Sequence, residues 1–271
     1  MPYFGQEPPG LVPEVFAPGV VSQLGRHEGA VSFLPTLGEV YFNANNKDGE
    51  AHIYFSKFED DQWTPVETLD LTGGQIEEQM HPSVTPDGKR LYFAAISSDL
   101  TYNKIWYADR LDGSWGGAKI LDSPINEDQV FFPNQSTNGD LYYFNLSSFQ
   151  NYRASDEANG FAEFEPVGLE FGVHAFMAPS LDYIVMNARN QEDQDRNDND
   201  IYVSFRAIDG TWDRPINLGT DINSTASERA PTISPDGKFL FFGKDELGGA
   251  GDADIYWVST QVIDNLRPVV N

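Results

Sequence analysis

An all-β chain folded as a ring of five four-stranded units is the architecture this sequence predicts, and three observations carry the prediction. A strand–turn–strand phrase occurs five times, a further aromatic strand follows each copy, and an aromatic-anchored strand closes four of the five units. The spacing, about 45–55 residues with four strands per unit, is that of the blades of a β-propeller. Composition agrees: 19 Phe, 12 Tyr, 24 Gly and 17 Pro among 271 residues favour pleated strands and tight connections over helices.

The clearest phrases run from His81 to Phe93 and from Ala230 to Phe242, around Pro86-Asp87-Gly88-Lys89 and Pro235-Asp236-Gly237-Lys238. Proline presets φ at the second position of such a turn, and Asp and Gly supply the bend and the positive φ. Weaker copies start at Ala30, Phe131 and His174. Third strands follow at Ile53-Tyr54-Phe55, Ile105-Trp106-Tyr107, Ile201-Tyr202-Val203 and Ile255-Tyr256-Trp257, with a weak counterpart near Asn151-Tyr152. Fourth strands start at Trp63, Trp115, Phe164 and Trp212, so the tryptophans read as packing of the outer strands and not as a sugar platform.

The fifth unit lacks a fourth strand after Trp257. The N-terminal run Leu11-Val12-Pro13-Glu14-Val15-Phe16 copies its pattern and is predicted to complete that blade, leaving no open edge. The blades then span 26–70, 77–122, 127–170, 173–219, and 226–260 with 11–16, in a single five-bladed domain.

By its repeats the sequence resembles the TolB-type β-propeller family over nearly its whole length. The match is strong at Pro86-Asp87-Gly88-Lys89 and Pro235-Asp236-Gly237-Lys238 and weaker at Leu34-Pro35-Thr36-Leu37, Ser136-Thr137-Asn138-Gly139 and Ala178-Pro179-Ser180-Leu181. The resemblance implies a periplasmic or secreted protein. The family serves many roles, so membership implies little about activity.

A net charge of −25, from 42 acidic and 17 basic residues, disfavours nucleic acid and anionic membranes as partners; it reads first as a device for solubility and second as attraction of a metal ion or cationic ligand. The absence of cysteine excludes disulfides, thiolate nucleophiles and Cys-ligated metals. No run approaches the ~18 apolar residues of a membrane span. The start, Met1-Pro2-Tyr3-Phe4-Gly5-Gln6, does not read as a signal peptide, which leaves a cytoplasmic protein or one whose leader was trimmed; the resemblance favours the second. A monomer is expected.

In a propeller the segments entering each first strand surround one mouth of the central channel. Here these segments carry Arg26-His27-Glu28, Glu77-Glu78-Gln79-Met80-His81, Glu127-Asp128-Gln129, His174 and Glu228-Arg229. Three of the four histidines lie among them, and each segment holds a His or a carboxylate. Converging imidazoles and carboxylates suit a divalent cation, Zn or Ca, held by His27, His81 and His174. They would also serve as general acids and bases, for which Glu28, Glu228 and Asp128 are the candidates. Glu28, Gln79, Gln129 and Glu228 align in one column, with His81 and His174 two places later. Arg26, Arg189, Arg229 and Gln79 are candidate substrate contacts, since guanidinium grips anionic groups bidentately.

The run Glu192–Asp200 alternates carboxylates and amides like a calcium loop, but lacks the Gly and closing Glu of an EF-hand and reads better as a solvated loop. No phosphate-cradling loop, Gly-x-Ser-x-Gly elbow or His-Glu-x-x-His is present. The expectation is a small hydrolase of an ester, phosphoester or glycosidic bond at the channel mouth, with a divalent metal polarising substrate and water. The alternatives are a non-catalytic propeller that binds a protein or glycan on that face, and a metal-free glycosidase or lyase using two carboxylates.

Overall fold

The computed structural model describes residues 2–97, 101–155, 158, 160–193, 195–245 and 252–268. Five small antiparallel sheets form a five-bladed propeller. From the axis outward, blade one runs Glu28–Phe33, Glu39–Asn45 and Ala51–Glu59; blade two, Glu78–Val84, Arg90–Ile96 and Asn103–Leu111. Blade three runs Val130–Gln135, Leu141–Asn145, Gln150–Ser155 and Glu163–Pro166; blade four, Val173–Met177, Tyr183–Arg189, Asn199–Phe205 and Ile216–Asn217. Blade five runs Glu228–Ile233, Phe239–Asp245 and Ala253–Ser259, and its outer strand is the N-terminal Glu14–Val15, with Glu14 opposite Trp257 and Val15 opposite Tyr256.

The outer strands of blades one and two are each split in two, Gln62–Trp63 with Glu67–Thr68 and Ser114–Trp115 with Lys119–Ile120. The weak third strand of blade three is regular, and Leu141–Asn145 pairs along it residue by residue. At the Pro-Asp-Gly turns, Gly88 and Gly237 both take φ of 73°. The Asp87 and Asp236 carboxylates accept from the Lys89 and Lys238 amides two residues on, which fixes the bend.

Each seam between blades has its own apolar core, because both faces of every sheet are covered. Tyr41, Leu91 and Phe93 fill the seam of blades one and two, and Tyr142, Met177 and Met186 that of three and four. The closing seam, between blades five and one, is the most aromatic: Phe16, Phe33, Phe241 and Trp257 are all buried there beside Tyr3.

Every first strand carries a β-bulge near its middle. A bulge inserts a residue, sharpens the twist and re-aims a side chain. The residues at the bulges are His81, Phe132, His174 and Ala230, all in the left-handed region at φ of 54°, 56°, 53° and 48°, with Ala30 as the blade-one counterpart. Ala30, Phe132 and Ala230 pack together at the axis. They divide the channel into a small cavity of about 170 Å³ among the Pro-Asp-Gly turns and a larger one at the opposite mouth.

Candidate functional site at the channel mouth

The larger cavity, of about 370 Å³, opens among the segments that enter the first strands. Its floor is the bulge layer. Because that layer presents one residue per blade, blades two and four place imidazoles where blades one and five place alanines. The rings of His81 and His174 lie 5.4 Å apart between centroids. Phe131 and Phe132 of blade three flank both, at 4.8–5.4 Å.

Asparagines on second strands hold this layer in place. Asn43 Oδ1 accepts from the His81 amide at 3.1 Å, and Asn187 Oδ1 accepts from the Ala230 amide at 3.2 Å. Because a backbone N–H can only donate, it orients the Asn187 amide with oxygen toward His174. His174 Nδ1, 2.8 Å from that oxygen, is therefore the protonated nitrogen, and Nε2 keeps its lone pair. Burial, opposed by the Asn187 bond and aided by the nearby Arg229 charge, pulls the His174 imidazole down to about 4. Burial and the neighbouring His174 hold His81 well below its ordinary range. Both rings are neutral at pH 7, and His81 Nδ1 is buried with no hydrogen-bond partner.

Arg229 and Asp245 line the cavity as an ion pair, with the Arg229 side chain 44% exposed. His27 also lines it and is tied by backbone bridging to Ala253 of blade five. The two imidazoles, His27 and Arg229 are thus brought to one cavity. Among the described residues no group of three or more His, Asp or Glu is arranged to hold a metal ion. Two imidazoles alone fall short of the three protein ligands usual at a catalytic zinc.

The candidate carboxylates are engaged in other contacts. Glu28 contributes to the cavity wall, but its carboxylate is buried, 2.5 Å from Arg26 Nε and accepting from the Gln23 amide. Glu228 is equally buried and accepts from Ser224 Oγ at 2.7 Å. Gln79 donates to Thr72 Oγ1 at 3.3 Å. These three are equivalent, each turned into the seam behind its own entering segment. The residue in this column in blade three is Val130, opposite Asn145, one place after Gln129, whose oxygen accepts from Asn103. Asp128 is exposed and accepts from Asn145 Nδ2.

The remaining arginines are committed too. Arg26 donates to the Val21 carbonyl and lies over the Phe42 and Tyr54 rings. Arg189 bonds Arg196 O and Asn197. In the acidic loop Arg196 bridges Asp198, Asp200 and the Ser224 carbonyl, so an internal cation holds these oxygens. The polar character of the entering segments has a structural cause as well: Ser22, Asn126 and Asn223 each accept from the amide of a third-strand isoleucine, Ile255, Ile105 and Ile201.

Sequence reasoning overlooked Phe131, Phe132, Asn43 and Asn187. The two asparagines stand alone in apolar second strands, Val40-Tyr41-Phe42-Asn43 and Ile184-Val185-Met186-Asn187, which was the available signal. A buried amide in such a run must find partners.

Glu28 makes a testable contribution to pH dependence. Burial pushes its carboxyl up to about 7 against the lowering pull of Arg26. The folded state therefore favours the protonated form, so stability falls as pH rises from about 4.5 to about 7 and is flat above. Over that window Glu28→Gln is expected to remove a slope worth on the order of 3 kcal/mol. Urea titrations of both proteins at pH 5 and 8 measure it, and equal differences for the two would refute the assignment. The lowered histidines act in the opposite sense below pH 6.5 in both proteins, so they cancel in the comparison.

No known family profile matches this sequence, and no curated protein does. Solved structures do match the fold. A putative TolB from Agrobacterium tumefaciens is 17% identical, with 85% of this chain aligned to 73% of that one and a TM-score of 0.52. An arabinanase of Bacillus subtilis is 11% identical, over 82% of this chain and 90% of the other, with a TM-score of 0.55. The catalytic domain of an α-L-arabinofuranosidase from Coprinopsis cinerea is 10% identical, over 93% and 98%, with a TM-score of 0.55. Among the described residues no helix is long and apolar enough to cross a membrane. At these identities the likeness shows the fold alone, and the proteins that share it include solved glycosidases.

Proposed function

We propose that the channel mouth binds a hydroxyl-rich small molecule of glycan type, in a periplasmic or secreted setting. The observation that carries this reading is the pair of neutral imidazoles on an aromatic floor inside a largely apolar cavity. Such a cavity with a few convergent polar groups is the usual form of a small-molecule site. Imidazoles with their lone pairs intact accept from ligand hydroxyls, the aromatic floor covers the apolar face of a sugar ring, and Arg229 addresses an anionic substituent.

A second reading, hydrolysis, is favoured by the lone pair on His174 Nε2 beside the His81 ring. Bases with so low a pKa are poor proton acceptors at neutral pH. The two buried glutamates point into seams, so a glycosidase carboxylate pair is not formed by Glu28 and Glu228. Hydrolysis here would run through a divalent cation that polarises the substrate and activates water when bound. His81 and His174 would be its protein ligands, with His27, which lines the same cavity, a candidate for a third.

Phenylalanine already occupies the equivalent bulge position in blade three, so His81→Phe and His174→Phe are compatible with the fold. Each is expected to weaken glycan binding at least tenfold on a glycan array and in calorimetry, with little change in Tm. Elemental analysis, and a panel of glycoside and ester substrates with and without chelator, separate the two readings. Bound metal with chelator-sensitive turnover establishes the hydrolase; a metal-free, inactive protein that binds glycan establishes the binding module. Unchanged glycan binding in both variants would overturn the site.

A further inference from the structure

We propose that Phe149 is a stacking platform that extends the mouth into a second sugar subsite, so that the ligand is an oligosaccharide. This rests on the glycan reading of the mouth. Phe149 sits in the hairpin between the second and third strands of blade three, with φ of 56° and 69% of its surface exposed. A bulky residue in the left-handed region is an outlier that glycine would avoid at no steric cost. The turn itself is firmly built, because Asn145 Oδ1 accepts from the Ser147 and Ser148 amides at 2.8 and 3.1 Å. The hairpin thus holds a large apolar ring in solvent, on strained backbone, where turn formation does not require it.

Two further observations place that ring next to the mouth. It packs edge-on to Phe144 at 5.2 Å, Phe144 lies 5.4 Å from Phe131, and Phe131 lies 5.1 Å from His174. An unbroken line of rings leads from the cavity floor to the surface. Phe149 also walls a second cavity of about 340 Å³ with Gln150, Glu170, Phe171 and Gly172. Gly172 is two residues from His174, which lines the mouth, so the segment entering blade four contributes to both cavities. An aromatic face beside amide and carboxylate groups matches a sugar ring, which has an apolar face and a hydroxyl edge. One sugar fills the mouth and the next lies on Phe149, with Gln150 and Glu170 within its surroundings.

The test compares mono- and oligosaccharides of one series on the intact protein by calorimetry, after an array has chosen the series. The wild type should bind the oligosaccharide at least about tenfold more tightly than its monosaccharide. Phe149→Ala should lose that advantage and keep monosaccharide affinity, Phe149→Tyr should retain it, and Phe149→Gly should lose it without lowering Tm. An oligosaccharide affinity unchanged in Phe149→Ala overturns the platform and leaves the mouth standing. A wild type that binds neither sugar overturns both readings.

Discussion

Removal of residues 2–17 should leave a protein without the sharp thermal transition of the full chain. The N-terminal segment does more than pair with Ala253–Ser259. Phe4 stacks on Trp63 of blade one at 4.3 Å between centroids, while the Tyr3 hydroxyl bonds Asp236 of blade five. Between them Phe16, fully buried, packs against Phe33 of blade one and Phe241 and Trp257 of blade five. Gln6 fastens the segment to itself by donating to the Val15 carbonyl and accepting from the Ala17 amide. Its loss exposes one seam and the whole outer edge of a sheet. Phe16→Ala alone should cost about 3–5 kcal/mol, the usual range for a buried aromatic truncated to alanine. Differential scanning calorimetry of both variants decides the matter, and a transition within a degree or two of wild type in the deletion would refute this closure.

The second large effect is expected at the seam of blades one and two. Arg110 donates to both oxygens of the buried Glu39, at 2.5 and 2.8 Å. The Tyr41 hydroxyl donates to the same carboxylate, and Trp115 Nε1 donates to Tyr41 at 2.9 Å. Burial works to raise the Glu39 carboxyl, but these bonds hold it below the ordinary value. Arg110→Ala would strand a buried carboxylate, which costs about 3–5 kcal/mol, or roughly 10 °C of Tm for a chain of this size. The double variant Arg110→Met with Glu39→Leu should recover most of the loss, because replacing a buried pair by apolar side chains is often neutral. A single variant that loses less than about 1 kcal/mol in urea unfolding would show the network to be a solvated surface pair.

How far the sequence reached differs between scaffold and site, for a physical reason. Strand and turn signals are local, so the repeated Pro-Asp-Gly phrase and the missing fourth strand after Trp257 were enough to predict five blades and the N-terminal closure. The mouth depends on which way each side chain faces after a bulge, and bulges leave little local trace. Glu28 and His81 stand two columns apart in the repeat, yet one faces a seam and the other the axis, because the inserted residue lies between the columns. The one-place offset between Gln129 and Val130 in blade three arises in the same region. Side chains that suggested acids and bases, at Glu28 and Glu228, and a substrate contact, at Gln79, bond instead to the loops that lead into the blades.

The bulge layer has a consequence for redesign. A bulge is common to all five first strands and its left-handed backbone to four of them, while the side chains range from alanine to phenylalanine and histidine, so geometry and chemistry are decoupled at these positions. The layer behaves as a five-seat socket whose seats can be refilled one at a time. Ala230 already has the left-handed backbone that His81 and His174 adopt. A histidine introduced there by Ala230→His would face the same axis from blade five, beside Ala30 and Phe132. Three imidazoles on one rigid layer amount to the donor set of a catalytic zinc site. On this scaffold the chemistry of the axis can therefore be changed by single substitutions, with the blades untouched.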